Sequence, residues 1–199
     1  MVDFDKPFDE IRKRAEAGDG EGAFQLYRIL LACRRLSATQ DVPQERVAYC
    51  ATIPASERAL ELHWLLRAAE AGVTNAQLAF VQKSEVWSEH ATQEIVQARA
   101  SIVQSLDRSA RAGNRAALER VWELHYSGQM GLPQNKAVAY AYLMASVDLN
   151  PEPDFRQRLE QFVDDPNLYY RQLRDQLTPF ELEQANTLRR QIVESPPPH

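Results

Sequence analysis

A short Ala-Gly phrase occurs three times in this 199-residue chain, at Ala17-Gly18, Ala71-Gly72 and Ala112-Gly113. Each copy follows one alanine-rich segment with helical spacing and precedes another. Glycine readily adopts the left-handed conformation that ends helices. The copies begin at positions 17, 71 and 112, at intervals of 54 and 41 residues. Recurrence on this scale predicts a repeat array built from helix pairs, and such arrays usually present a surface to a partner.

We predict an all-α chain, because apolar and polar residues hardly alternate and no Asn-Gly or Asp-Gly is flanked by β-branched runs. An irregular link carrying Pro43 and Pro54 is expected after the second helix. Thr178-Pro179-Phe180-Glu181 combines a capping box with proline at the first helical position, which predicts the start of the last helix. The predicted helices cover residues 5–17, 20–36, 55–71, 74–84, 88–112, 114–127, 135–148, 153–163, 166–176 and 179–194.

The most complete unit follows Gly113. Gly128 and Gly131 are expected to form its turn, as Gly18, Gly72 and Gly113 are in the Ala-Gly phrases. The next helix carries alanines four residues apart, a spacing that allows close helix packing; these are Ala137, Ala141 and Ala145. On the preceding helix, the packed side is expected to contain Ala116, Ala117, Val121, Leu124 and Tyr126.

These motifs resemble the Sel-one-like repeat family of bacterial type, relatives of the tetratricopeptide repeats. Residues 106–146 match the family unit nearly throughout, with Tyr126, Gly128 and Gly131 at the turn, and residues 64–81 match the first half of another unit. Residues 14–31 match more weakly, and residues 83–88 replace a glycine turn. The resemblance implies proteins that act as adaptors for other proteins in signalling, envelope assembly or host contact.

The predicted architecture is one helical-repeat domain over residues 1–194, a short right-handed solenoid of stacked antiparallel helix pairs. Its units lie near 5–36, 55–84 and 105–148, and helices within 153–194 cap the exposed end of the core. Residues 195–199 form a disordered tail.

Cys33 and Cys50 are the two cysteines, and both lie in the long first interval. One interpretation is two small buried apolar side chains. The other is a disulfide that staples the irregular link to the first helix pair, which would stabilise by roughly 3 kcal/mol in the chain-entropy model. A disulfide would place the protein in an oxidising compartment.

Composition excludes some classes of function. Hydrophobic residues make up 44% and charged residues 26% of the chain, as in folded domains, and the net charge is −5. Basic residues are scattered among acidic ones, so nucleic-acid binding is not expected. No apolar stretch approaches the roughly 20 residues of a membrane helix, so no membrane insertion is expected. The acidic N-terminus lacks the apolar region of a signal peptide.

No catalytic, metal or cofactor site is expected. The four histidines, at positions 63, 90, 125 and 199, lack metal-ligand spacing. Gly18, Gly20 and Gly22 lack the strand and the Lys-Ser/Thr element of a phosphate loop. Asp165 before Pro166 is interpreted as a helix cap. Tyr169 and Tyr170, beside Arg171 and Arg174, are either a contact patch or part of a capping helix, and we favour the cap.

The sequence therefore predicts a non-catalytic, monomeric scaffold or adaptor that binds another protein or peptide. The alternative is an immunity-type inhibitor that neutralises a cognate toxic enzyme. The expected location is periplasmic or secreted, with a cytoplasmic location as the alternative. The departures from the repeat, more than the repeat itself, are where features particular to this protein are expected.

Overall fold

The computed structural model describes residues 7–36, 43–150, 152 and 169–194. These residues form twelve α-helices and no strand, which confirms the predicted all-α class. In chain order the helices are α1 (Phe8–Glu16), α2 (Gly20–Leu36), α3 (Gln44–Ala51), α4 (Ala55–Arg58), α5 (Glu61–Glu70), α6 (Thr74–Gln82), α7 (Ser84–Trp87), α8 (Gln93–Arg111), α9 (Arg115–Ser127), α10 (Lys136–Asp148), α11 (Tyr169–Arg174) and α12 (Pro179–Glu194).

The chain divides into two compact units, Met1–Ile102 and Val103–His199, and the boundary falls within α8. In unit 1, α2 packs against α1, α3 and α5, and α5 packs against α6. In unit 2, α10 packs against α9, α11 and α12. The largest fully buried side chains of unit 1 are apolar, as expected for helices with one core-facing side: Ile11, Leu26, Ile29, Leu30, Ile53, Leu65, Leu66, Phe80 and Ile102.

The three Ala-Gly phrases end α1, α5 and α8 with the same turn. Gly18, Gly72 and Gly113 have φ of +91°, +86° and +83°. In the first turn, the N–H of Gly18 donates to Ala15 O at 3.0 Å and the N–H of Asp19 donates to Arg14 O at 3.1 Å. The same pair of bonds recurs at the other two turns, so all three are Schellman motifs.

The residue after each glycine directly precedes the following helix, and its side chain decides whether that helix is capped. Asp19 Oδ1 accepts from the N–H of Gly22 at 3.0 Å, and Asn114 Oδ1 accepts from the N–H of Ala117 at 3.1 Å. Val73 has the same φ and ψ as Asn114, −67° and 108°, but its side chain cannot accept a hydrogen bond. The second copy of the phrase is therefore the weakest helix start.

The packed sides of α9 and α10 are close to those predicted. Ala137, Ala141 and Ala145 are all buried, as the four-residue spacing requires. On α9, however, the expectation for Ala116 is wrong because it is exposed, and Tyr126 is only half-buried. The buried stripe is instead rotated toward the residues Ala117, Leu118, Val121, Leu124 and His125.

The region between α2 and α5 corrects the sequence prediction. The predicted irregular link contains a helix, α3, which begins directly after Pro43. Proline is compatible with such a start because the first helical N–H groups need no partner within the helix. The predicted helix 55–71 is divided into α4 and α5 at Leu60, where φ is −87° and ψ is 11°. Similarly, α8 begins at Gln93 rather than at residue 88.

The C-terminal helix α12 begins with the predicted capping box. The N–H of Thr178 donates to Glu181 Oε2 at 2.8 Å, and the N–H of Glu181 donates to Thr178 Oγ1 at 3.3 Å. An Arg189 Nη2 to Asp148 Oδ1 bond of 2.7 Å ties α12 to α10. The predictions for residues 153–163, for Asp165 and for the tail 195–199 lie outside the described residues, as do those for the side chains of Tyr169 and Tyr170.

Candidate functional site

A groove of about 350 Å³ lies on unit 1 between α2 and the junction of α6 with α7. We call it the α2–α7 groove. Tyr27 and Arg34 lie on one face of α2 about two turns apart, because seven residues separate them. The opposite wall comes from the end of α6 and the residues that follow it. The groove is lined by Tyr27, Leu31, Arg34, Arg35, Ala79, Gln82, Lys83, Ser84 and Glu85.

A buried carboxylate organises the cations of this groove. Glu61 begins α5 and is only 7% exposed. Lys83 Nζ donates to its Oε1 at 2.6 Å, and Arg34 Nε lies 3.3 Å from its Oε2. A buried acid at a helix N-terminus is favoured by the helix dipole and by paired cations. Glu61 therefore fixes two basic side chains from different elements at one place.

Tyr27 brings an unused hydroxyl to the groove. The residue is 5% exposed, yet its hydroxyl has no hydrogen-bond partner among the described residues. The Lys83 ammonium lies 5.4 Å from the centroid of its ring, within cation–π range. Burial raises the pKa of Tyr27, and the charge of Glu61 acts in the same direction. The phenol therefore keeps its proton and is available as a donor.

The connection after α6 differs from the glycine turns. Lys83 is extended, with φ of −79° and ψ of 121°, which ends α6. The following α7 is held by Trp87, whose Nε1 donates to Val81 O at 3.2 Å. Arg99 donates from Nε to Val86 O at 2.7 Å and lies over the Trp87 ring at 5.3 Å. These contacts fix the position of the wall that carries Lys83.

The basic side chains at the groove differ in whether they form ion pairs. Arg34 is 58% exposed while bound to Glu61, and Lys83 is 15% exposed. Arg35 is exposed and forms no ion pair with the described residues. Glu85 is the other carboxylate of the lining. When Glu61, which pairs with two of the lining residues, is counted, three cations stand against two carboxylates. The groove therefore has one positive charge in excess on a chain of net charge −5.

The predicted cysteine pair adjoins the groove. Cys33 and Cys50 form a disulfide that joins α2 to α3, with their Cα atoms 5.5 Å apart. The disulfide interpretation is therefore confirmed over that of two unbonded cysteines, although both residues are also buried. Cys33 directly precedes Arg34, so the bond anchors the end of α2 that supplies the groove's arginines. Most of α3 is exposed.

Unit 2 contains a partly buried polar cluster centred on Asp107. Its Oδ1 accepts from Tyr142 Oη and contacts His125 Nε2, both at 2.9 Å, while Arg111 Nε donates to Oδ2 at 3.0 Å. Burial by itself raises the pKa of Asp107, but the bonds from His125, Arg111 and Tyr142 outweigh it and lower the pKa to about 2. Burial also raises the pKa of Tyr142.

The His125 ring is enclosed by the other members of this cluster and by the loop before α10. His125 is 4% exposed, and its Nδ1 faces Pro133 O at 3.3 Å. Both ring nitrogens of His125 therefore face protein acceptors. The cluster joins α8, α9 and α10 through one carboxylate.

The remaining turn glycines also lie in left-handed backbone. Gly128 and Gly131 have φ of +67° and +81°. A Cβ on Gly128 would lie 2.9 Å from Gln134 Cβ, so this turn has no space for a side chain.

Within the described residues, no three His, Cys, Asp or Glu side chains are placed to hold a metal ion. In the same part of the chain, no helix is long and apolar enough to span a bilayer.

The residues of the groove were not predicted from the sequence. A signal was present, since Tyr27, Leu31, Arg34 and Arg35 follow helical spacing along one face of α2. The pairing of Glu61 with Lys83 depends on packing between distant segments and has no local signal. Both walls nevertheless lie where the chain departs from the repeat, at the end of α2 before the cysteine-bearing link and at residues 83–88.

Searches of protein-family models, of curated proteins and of solved structures find no match to this chain.

Proposed function

We propose that this chain is a non-catalytic scaffold that binds a segment of another protein in the α2–α7 groove. The carrying observation is the groove's composition, with Tyr27, Arg34 and Arg35 on one helix face. Tyrosine and arginine are enriched at the energetic centres of protein interfaces, because both combine large contact area with directed hydrogen bonds. A groove of about 350 Å³ fits a few side chains of a peptide.

The packed helix pairs support the same proposal. The proposed arrangement is a short right-handed solenoid of Sel-one-like units, with α11 and α12 as its capping helices. Helix repeats hold a surface at fixed geometry because each unit packs on its neighbours. In unit 1 the three elements that form the groove, α2, α6 and α7, are fixed by the disulfide, Glu61 and Arg99.

The disulfide supports a location in an oxidising compartment, such as a bacterial periplasm. Disulfides persist there, whereas the cytosol keeps most thiols reduced. We therefore place the proposed partner in the same compartment or on the surface of the cell.

A selection from a displayed library of random peptides tests the proposed function. The folded, oxidised protein is immobilised, and bound peptides are sequenced after several rounds. We expect a family of related peptides that binds the free protein in solution and competes for one site. If repeated selections yield no peptide with saturable binding, the proposed function is wrong.

A further inference from the structure

We infer that the α2–α7 groove recognises an acidic peptide segment, with an Asp or Glu side chain of the partner bound by the Tyr27 hydroxyl and the Arg35 guanidinium. This inference rests on the proposed function and names the partner's chemistry. It follows from a groove hydroxyl that donates to no described residue, an excess of one positive charge and the lack of an ion pair between Arg35 and any described residue.

The Tyr27 hydroxyl is a donor that the protein leaves open to the groove. Tyr27 lines the groove, and its ring is mostly buried, but its hydroxyl reaches solvent and donates to no described residue. A hydroxyl in this position can bond to a ligand without breaking a hydrogen bond of the protein. A ligand carboxylate supplies the missing acceptor, and a bond from a hydroxyl to an ionised oxygen is among the stronger hydrogen bonds.

The distribution of charge at the groove also favours an acidic ligand. Glu61 already accepts from Lys83 and contacts Arg34, so two cations of the lining share one carboxylate. Arg35 adds a further cation with no described counter-ion. Glu85 opposes it from the other wall. The net charge at the groove is positive, although the chain as a whole is acidic. The groove is therefore expected to bind a single well-placed acidic group better than a long acidic tract, which the rest of the chain would repel.

The wall of the groove that carries Lys83 is held rigidly before any ligand binds. Lys83 is fixed between Glu61 and the Tyr27 ring, and α7 is fixed by Trp87 and Arg99. Donors held in place before binding lose little freedom when the ligand arrives. The groove therefore offers the Tyr27 hydroxyl between walls that are fixed before binding, flanked by the apolar side chains of Leu31 and Ala79 for the adjoining peptide residue.

The test uses peptides from the library selection, labelled with fluorescein, and measures their affinity by fluorescence anisotropy. We expect Asp or Glu at one position of the selected family, and Gln or Asn there should weaken binding about tenfold. Tyr27→Phe should weaken it about tenfold without affecting the fold, because only the unpaired hydroxyl is removed. Arg35→Glu should weaken it at least about tenfold.

Arg108→Glu is the matched control, because Arg108 is an exposed arginine of α8 outside the groove and the charge change is the same. We expect its affinity to equal that of the wild type. If the selected peptides bind equally well with Gln at every acidic position, or if Tyr27→Phe and Arg35→Glu bind like Arg108→Glu, the inference is overturned while the proposed function stands. If no peptide is selected at all, both are overturned.

Discussion

Gly20 and Ala71 bring the first two Ala-Gly turns into direct contact. A Cβ on Gly20 would lie 2.6 Å from Ala71 Cβ and 3.0 Å from Val73 Cγ2. Gly20 is the first residue of α2, where glycine is otherwise not required by its backbone. The missing side chain therefore serves the close approach of the two turns within unit 1.

Gly20→Ala is expected to lower the free energy of unfolding by about 1–3 kcal/mol, the usual cost of overpacking. If the two turns were not in contact, alanine in place of this helical glycine would raise the free energy of unfolding by up to roughly 1 kcal/mol. The sign of the measured change therefore shows whether the contact exists. The double variant Gly20→Ala/Ala71→Gly moves the methyl group to the other turn and should recover most of the loss. Urea denaturation measures each variant, and a stabilised Gly20→Ala would show that the turns do not touch.

Reduction of the Cys33–Cys50 bond should destabilise the protein. The cysteines are 17 residues apart, and opening a loop of that size costs roughly 3 kcal/mol in the chain-entropy model. Thermal unfolding with and without a phosphine reductant measures the change, and the double variant Cys33→Ser/Cys50→Ser should show no further effect of reductant. Alkylation of the unreduced protein, followed by mass spectrometry, should detect no free thiol. Two alkylated cysteines in material from an oxidising compartment would contradict the bond.

The Asn114 side chain should stabilise the start of α9 by about 1 kcal/mol. Val73 occupies the same backbone conformation at the start of α6, so valine is tolerated there by the backbone. Asn114→Val should therefore lose the cap and little else. Asn114→Asp keeps an acceptor and should retain the wild-type stability. Equal stability of the valine and aspartate variants, measured by chemical denaturation, would rule out the cap.

Asp107 should make unit 2 sensitive to acid. Its pKa in the folded protein is about 2, below the ordinary value of 3.8. A depressed carboxyl pKa contributes stability that is fully present well above pH 4 and is lost as the pH falls toward 2. The size of the shift corresponds to roughly 2 kcal/mol. Asp107→Asn should be less stable than the wild type at pH 6, and the difference should shrink by about that amount at pH 2.

Denaturant titrations at pH 6, 4 and 2 measure this difference. Glu70→Gln, which neutralises an exposed acid of unit 1, controls for the loss of one negative charge. A constant difference between wild type and Asp107→Asn over the whole range would mean that the polar cluster does not hold the carboxylate ionised.

Much of the fold was accessible from sequence because its signals are local. A glycine at φ of +91°, a capping box at Thr178 and alanines four residues apart on α10 each act within a few residues. The α3 helix was missed because its sequence is short and polar, and its position depends on a disulfide to α2. The break at Leu60 was likewise not signalled by glycine or proline within the helical segment.

The candidate site was less accessible for the same reason. Tyr27 and Arg35 share a helix face, which the sequence shows, but the isolation of the Tyr27 hydroxyl depends on its surroundings. Glu61 and Lys83 are 22 residues apart and meet only because α5 and α6 pack together. Repeat spacing predicts which segments form helices, whereas the arrangement of charged groups between them depends on tertiary contacts.

Site-specific photocrosslinking tests the central claim, that the α2–α7 groove is the binding surface, most directly. A photoreactive amino acid replaces Gln82, an exposed residue of the groove lining, and in a separate variant replaces Val96, which is 42% exposed on α8. Each variant is irradiated with a selected peptide and analysed by mass spectrometry. The groove account predicts peptide attached at position 82 and little or none at position 96. Efficient attachment at 96 with none at 82 would contradict it.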